Sequence, residues 1–269
     1  MIGIIGSGNV GANTAFFLAE KGVDHVLLYD VQDGLAQGKA LDMMEAAPIR
    51  GYRTSIRGTD SPEEIFSCDI IIITAGAVRQ PGEKRESVFK ENQGIIEAYA
   101  QKITNPSAKV IIVSEPIDCN TTLFAKISGL PPGQVMGLGG VLDATRLRYL
   151  IANELSVSME NVAAQVIGRH ADDMILLKDY SCVSGVSLEN FMSEENITRL
   201  FEETRNAGHL IVDLAGRASA YYGPSAVAVE LAEAICRDTG RVMSISTLLS
   251  GQYGIDGVAL SLPEVIGKN

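Results

Sequence analysis

The chain is poor in histidine, in cysteine and in positive charge. Only three histidines stand among 269 residues, so chemistry that needs an imidazole has few candidates. The four cysteines, Cys68, Cys119, Cys182 and Cys236, lie far apart and form no CxxC pair. That spacing argues against zinc or any other metal site, and for free thiols in a reducing cytoplasm. Lys and Arg number 22 against 33 Asp and Glu, a net charge of −11. No nucleic acid and no anionic membrane is expected as a partner, and an anionic ligand must be held by a few local cations. The longest apolar runs, such as IIIITAGAV (70–78), are far too short to span a bilayer. No signal peptide is expected at the start, because MIGIIG runs straight into a glycine loop. Internal repeats and low-complexity tracts are also missing.

What remains is a globular composition, 46% apolar and 20% charged, long enough for one large domain or two of ordinary size. The first half alternates strand and helix. Apolar runs at IGII (2–5), HVLLYD (25–30), RTSIRG (53–58), DIIIITAG (69–76) and KVIIVS (109–114) read as strands. Helical patterns occupy residues 10–21, about 34–47, about 86–104 and about 142–154. Continuous apolar strands alternating with helices predict a parallel sheet covered on both faces. The second half has α+β character. Strand-like segments lie at 161–168, 174–188, in SISTLLSG and in GVALSL (257–262), with helices over about 194–220 and 224–238. The expected division is 1–141 and 142–269.

Residues 6–11 read GSGNVG, a GxGxxG pattern. Such a match is weak alone, but an apolar strand precedes it and an apolar helix follows. Asp30 ends the second strand, nineteen residues beyond Gly11. Gly6 permits a tight turn, Gly8 lets backbone approach a pyrophosphate, and Gly11 lets the helix pack against the strand. With Ser7, Asn9 and Val10 these residues form a candidate dinucleotide cradle at a helix N-terminus. Asp30 can accept from both ribose hydroxyls and would repel a 2′-phosphate, which favours NAD over NADP. The first half is thus expected to be a doubly wound, Rossmann-type α/β sheet. The bland alternative is a structural turn beside a chance acidic residue.

Two further patterns admit two readings each. Arg79 and Arg85 flank a Pro-Gly turn in RQPGEKR, either a ligand loop at the end of a strand or an exposed basic loop. Asp143 and Arg146 sit three apart in VLDATRLRYL, either an exposed ion pair or a half-buried pair among Val141, Leu142 and Leu147. His170, in VIGRHADDM, is either a proton carrier or a polar strand end.

Taken together, GSGNVG, TAGAVRQPGEKR (74–85), VLDATRLR (141–148), IGRHADD (167–173) and SAYYGP (219–224) resemble the malate and lactate dehydrogenase family in order and approximate spacing. The resemblance covers nearly the whole chain. It implies a catalytic second domain in which His170 exchanges a proton with the substrate oxygen while hydride moves to or from a nicotinamide. It also implies that Asp143 fixes the imidazole tautomer, that Arg146 grips the C1 carboxylate, and that Arg85 polarises the carbonyl. Arg79 falls where the family chooses between lactate and malate. A cation there implies a second carboxylate, hence a small dicarboxylic 2-hydroxy or 2-oxo acid, malate and oxaloacetate. By the same matching Asn92, Val113 and Ser114 should contact the cofactor, and Ser219 should line the pocket. A homodimer or homotetramer is implied, and the apolar helices 34–47 and 223–238 are candidate interfaces or core helices.

Three departures from the family stand out. Glu115, in VSEPID (113–118), replaces the usual Asn, whose amide donates to the substrate oxygen. A carboxylate there either stays protonated and donates, or ionises, pairs with an Arg and weakens oxaloacetate binding. Ala171 replaces the usual Gly after the histidine, at a cost of about 1 kcal/mol if the backbone there needs a positive φ. The family's closing strand and helix are expected beyond Asn269, and their absence would expose apolar surface or an unpaired strand.

Overall fold

A computed structural model describes residues 1–77, 85–216 and 220–268, with the side chains of Arg85 and Glu86 outside the description. The first half runs β1 (Ile2–Ile5), α1 (Asn9–Lys21), β2 (Val26–Tyr29), α2 (Leu35–Arg50), β3 (Ile56–Thr59), α3 (Pro62–Ile65), β4 (Ile70–Ile73), α4 (Phe89–Ala100), β5 (Lys109–Ile112), α5 (Ile117–Ser128), β6 (Val135–Gly137) and α6 (Gly139–Leu155). There follow the two-residue strands β7 (Val162–Ala163), β8 (Val166–Ile167), β9 (Ile175–Leu176), β10 (Cys182–Val183) and β11 (Val186–Ser187). The chain continues through α7 (Glu194–Ala215), α8 (Tyr222–Cys236), β12 (Arg241–Ser250) and β13 (Asp256–Ile266).

The strands β3-β2-β1-β4-β5-β6 pair in parallel, in that spatial order. Every residue of β1 and β4 is buried, as a sheet covered on both faces requires. Strand order reverses between β1 and β4. The loops leaving these two strands diverge and open a crevice at their carboxyl ends. Thr74, just after β4, ties the two loops by donating its hydroxyl to the carbonyl of Gly6 at 2.9 Å.

The long strands of the second half do not form a sheet of their own. β12 pairs antiparallel with β6, and β13 with β12, so one eight-stranded sheet continues across residue 141. The segment NVAAQVIG, expected as one strand, is split into β7 and β8 because its ends have different partners. β7 pairs with β10, and β8 with β9. Gly168 then exchanges two backbone hydrogen bonds with Ser261 of β13, each 2.9 Å, which hangs the histidine loop on the large sheet.

Helix α5 and strand β6 have no counterpart in the sequence reading. IDCNTTLFAKIS carries two threonines and an asparagine, all weak helix formers. Its helix is held instead by the burial of Ile117, Thr121 and Phe124. Helix α8 is buried nearly all round, including Val227, Ala228, Val229, Leu231, Ala232 and Ile235. This burial fits the core-helix reading. Helix α2 buries Ala36, Ala40 and Ala47 but leaves Leu41 and Ile49 exposed.

The glycines of the first turn differ in what they are for. A Cβ on Gly11 would stand 1.9 Å from the carbonyl oxygen of Gly6, whereas a Cβ on Gly8 would meet nothing within 4 Å. Gly11→Ala is therefore expected to lower unfolding free energy by about 1–3 kcal/mol, and Gly8→Ala by less than about 0.5 kcal/mol. Urea denaturation of the two variants checks this. Equal losses would show that the helix does not pack as tightly on β1 as described.

Candidate active site

Two clefts meet at the crevice. One is lined by the glycine turn, Tyr29, Asp30 and Val31. The other is lined by Val113, Ser114, Glu115, Leu142, Arg146 and His170. They share Val10, Thr74, Gly76, Ala77 and Ala220, so they form one continuous groove.

The first cleft suits a dinucleotide on its own geometry. No side chain caps the first turn of α1, so its leading amides are left to an incoming group. The space beside Gly8 is open on the side where a phosphate would approach. Asp30, half-buried at the end of β2, accepts the amide of Ser7 at 2.6 Å and that of Gln32 at 3.0 Å. These two bonds fix the carboxylate at the cleft wall and leave it lone pairs for a ribose. Ser7 itself is buried, and its part is to brace Asp30.

In the second cleft the structure brings His170 and Asp143 together. Asp143 lies on α6 with a fully buried side chain, and His170 is 1% exposed. Nδ1 of His170 is 2.7 Å from Oδ2 of Asp143. A carboxylate can only accept, so Nδ1 carries a proton and Nε2 is the nitrogen turned to the cleft. Arg146, one helical turn after Asp143, is 14% exposed and lies 3.5 Å from the other carboxylate oxygen. The pair is therefore not an exposed surface ion pair. Glu115 follows β5, is 30% exposed, and places Oε1 3.9 Å from Nε2 of His170.

One contact was not legible in the sequence. The backbone amide of His170 donates to Oδ2 of Asp118 at 2.7 Å, and Ser246 Oγ on β12 donates to Oδ1 at 2.6 Å. Burial pushes the Asp118 carboxyl above its ordinary range, against the pull of these two hydrogen bonds. Asp118 thus joins α5, β12 and the histidine loop at a single carboxylate. It stands in VSEPID, but only folding brings Ser246 to it.

Asn92 is fully buried on α4, accepts from the amide of Ala77 at 2.7 Å and donates to the carbonyl of Glu115 at 2.6 Å. It clamps the loop after β4 to the loop after β5. Val113 and Ser114 line the second cleft, and Ser114 donates to the carbonyl of Ala75 at 2.5 Å. Ala171 is not among the residues with positive φ, so replacing glycine there costs no backbone strain. Arg79 and Ser219 lie outside the described residues, as does the side chain of Arg85. Among the described residues no group of three or more His, Cys, Asp or Glu is placed to hold a metal ion, and no helix is long and apolar enough to cross a membrane.

Comparison with known proteins finds relatives that span the whole chain. The family model for the lactate/malate dehydrogenase NAD binding domain matches residues 1–137, and that for the alpha/beta C-terminal domain matches residues 140–269. The malate dehydrogenase of Chlorobium phaeobacteroides is 43% identical over 271 residues, covering 100% of this chain and 87% of that protein. The crystal structure of Cryptosporidium parvum malate dehydrogenase superposes with a TM-score of 0.97 at 34% identity, covering 99% of this chain and 87% of the other. A lactate dehydrogenase of the same organism, solved with lactic acid and nicotinamide adenine dinucleotide, superposes with a TM-score of 0.95 at 34% identity, covering 99% and 86%. The overall fold is thus common to enzymes of both names. An NAD-binding sheet, a buried histidine–aspartate pair at its cleft and full-length similarity lead to one conclusion: the chain belongs to the lactate/malate dehydrogenase family.

Proposed function

We propose that this protein is an NAD-dependent malate dehydrogenase that interconverts malate and oxaloacetate. The observation that carries this reading is the His170–Asp143 hydrogen bond at 2.7 Å, at the end of a groove that begins at the glycine turn. Malate is favoured over lactate by the family's curated members named malate dehydrogenase, at 38–43% identity, and by Arg79 in the sequence.

Gly6, Gly8, Asn9, Val10 and Gly11 hold the pyrophosphate of the cofactor, and Asp30 holds the adenosine ribose. A ribose phosphate would meet the Asp30 charge, so NAD is preferred over NADP. Bound NAD supplies the hydride acceptor for malate oxidation. In that direction His170 takes the hydroxyl proton at Nε2, and the Asp143 carboxylate stabilises the imidazolium that forms. Arg146 orients the C1 carboxylate with its planar guanidinium. Arg85 stabilises charge on the substrate oxygen, and Arg79 pairs with the C4 carboxylate. The family resemblance implies the same pocket for Ser219, which lies outside the described residues. The exposed Leu41 and Ile49 of α2 are offered to a second subunit of a homodimer or homotetramer, and the four free cysteines suit the cytoplasm.

Two experiments test this assignment. His170→Asn is expected to lower kcat for oxaloacetate reduction by about 10²–10⁴-fold while NADH still binds. A variant that keeps most of its turnover would remove His170 from the proton path. Glu115→Asn restores an amide donor beside the substrate oxygen and is expected to raise kcat/KM for oxaloacetate, whereas Arg79→Gln is expected to reduce the preference for dicarboxylic over monocarboxylic 2-oxo acids. Steady-state kinetics with a panel of 2-oxo acids and NADH reads both. Unchanged kcat/KM in Glu115→Asn at every pH would mean that residue 115 does not face the substrate.

A further inference from the structure

Strands β12 and β13 form an antiparallel ladder in which Ser246 stands opposite Ser261. Residues paired in this way turn their side chains to the same face of a sheet. Both side chains are fully buried, and each hydroxyl has a partner. Ser246 Oγ donates to Oδ1 of Asp118 at 2.6 Å. Ser261 Oγ accepts the amide of Gly140 at 2.8 Å, three residues before Asp143 on α6. The backbone of Ser261 holds Gly168, two residues before His170. A Cβ on Gly139 would stand 2.1 Å from Ser261 Oγ, so α6 begins in close contact with this rung.

One rung of the hairpin thus reaches all three segments that build the histidine site. Its route to His170 itself runs through Asp118. Oδ2 of Asp118 accepts the His170 amide at 2.7 Å, and Nδ1 of the ring lies 2.7 Å from Asp143. Two carboxylates on two helices hold one residue at two points. The bond to Asp143 fixes one ring nitrogen, but Nε2 still moves whenever the loop backbone shifts. A shift of about 1 Å at a reacting group can cost about 100-fold in rate. Burial pushes the Asp118 carboxyl above its ordinary range. A carboxyl oxygen can accept a hydrogen bond in either protonation state, so this tie needs no charge.

We propose that Asp118 is a positioning residue for proton transfer by His170, braced by Ser246 so that Nε2 keeps one place in the cleft. It acts through the histidine backbone, by an acceptor oxygen and not by charge. The part in proton transfer rests on the dehydrogenase reading above, whereas the tie itself does not.

The test makes Asp118→Ala, Asp118→Asn and Ser246→Ala in the full chain and scores two readouts. One is exchange of the His170 Nδ1 proton with water, followed by NMR without substrate at a pH where the ring is neutral. The other is kcat and KM for oxaloacetate reduction with NADH. A residue that only stabilised the fold would lower Tm and leave both readouts of the folded protein untouched. In Asp118→Ala the proton is expected to exchange about tenfold faster or more, and kcat to fall about 10–100-fold with KM within about threefold. Asp118→Asn keeps an oxygen for the His170 amide and offers an amide to Ser246, whose hydroxyl can accept. It is expected to stay within about threefold of wild type in both readouts. Ser246→Ala is expected to lose about 3–10-fold in both, and to add nothing to Asp118→Ala in the double variant. A folded Asp118→Ala with wild-type kcat would overturn the proposal, and so would Asp118→Asn as impaired as Asp118→Ala. If Asp118→Ala does not fold, Ser246→Ala decides, and wild-type exchange and kcat there would overturn it. Wild type without oxaloacetate turnover ends the malate assignment, and the exchange readout then decides the tie alone.

Discussion

A single buried hydrogen bond gives the rest of the site its meaning. Nδ1 of His170 meets the carboxylate of Asp143 at 2.7 Å, where both side chains are almost fully closed to water. A buried carboxylate is costly unless it is paired, and here its partners are an imidazole N–H and the guanidinium of Arg146. The same bond decides which ring nitrogen faces the groove. Without it the imidazole could rotate or change tautomer, and the neighbouring groups would have nothing fixed to act through.

The fold serves this bond by bringing three distant segments to one point. Helix α6 carries Asp143 and Arg146. The loop after β8 carries His170 and is hung on β13 through Gly168 and Ser261. Asp118, at the first turn of α5, holds the His170 amide and the Ser246 hydroxyl at once. The parallel sheet sets the glycine turn and Asp30 at the other end of the groove, where β1 and β4 part. The reversal of strand order therefore creates the groove, and α6, α7 and the histidine loop line its far end.

Local chemistry and the apolar pattern made much of this legible in advance. IGII, IIII and KVII read as buried strands because both faces of a parallel sheet are covered, and all three lie in the large sheet. GSGNVG and Asp30 declared the cradle because the turn, the helix start and the acidic residue stand at fixed spacings. Long-range pairing was not legible. Nothing in SISTLLSG says that β12 joins β6, and nothing near Ser246 says that it meets Asp118. Helix α5 was missed because packing, not propensity, makes it helical. Asn92 was expected at the cofactor by matching, and the tie its amide makes between Ala77 and Glu115 was not legible in the sequence.

Glu115 is where this chain departs from its family in a way that the geometry makes chemical. Its Oε1 stands 3.9 Å from Nε2 of His170, where the family resemblance implies an amide. Its effect on any ligand follows only if Asp143 holds the proton on the far nitrogen. Nitrogen NMR of the His170 imidazole, at a pH where the ring is neutral, tests that directly. The account predicts a proton on Nδ1 and a bare Nε2. A neutral ring protonated at Nε2, with Nδ1 bare, would contradict it.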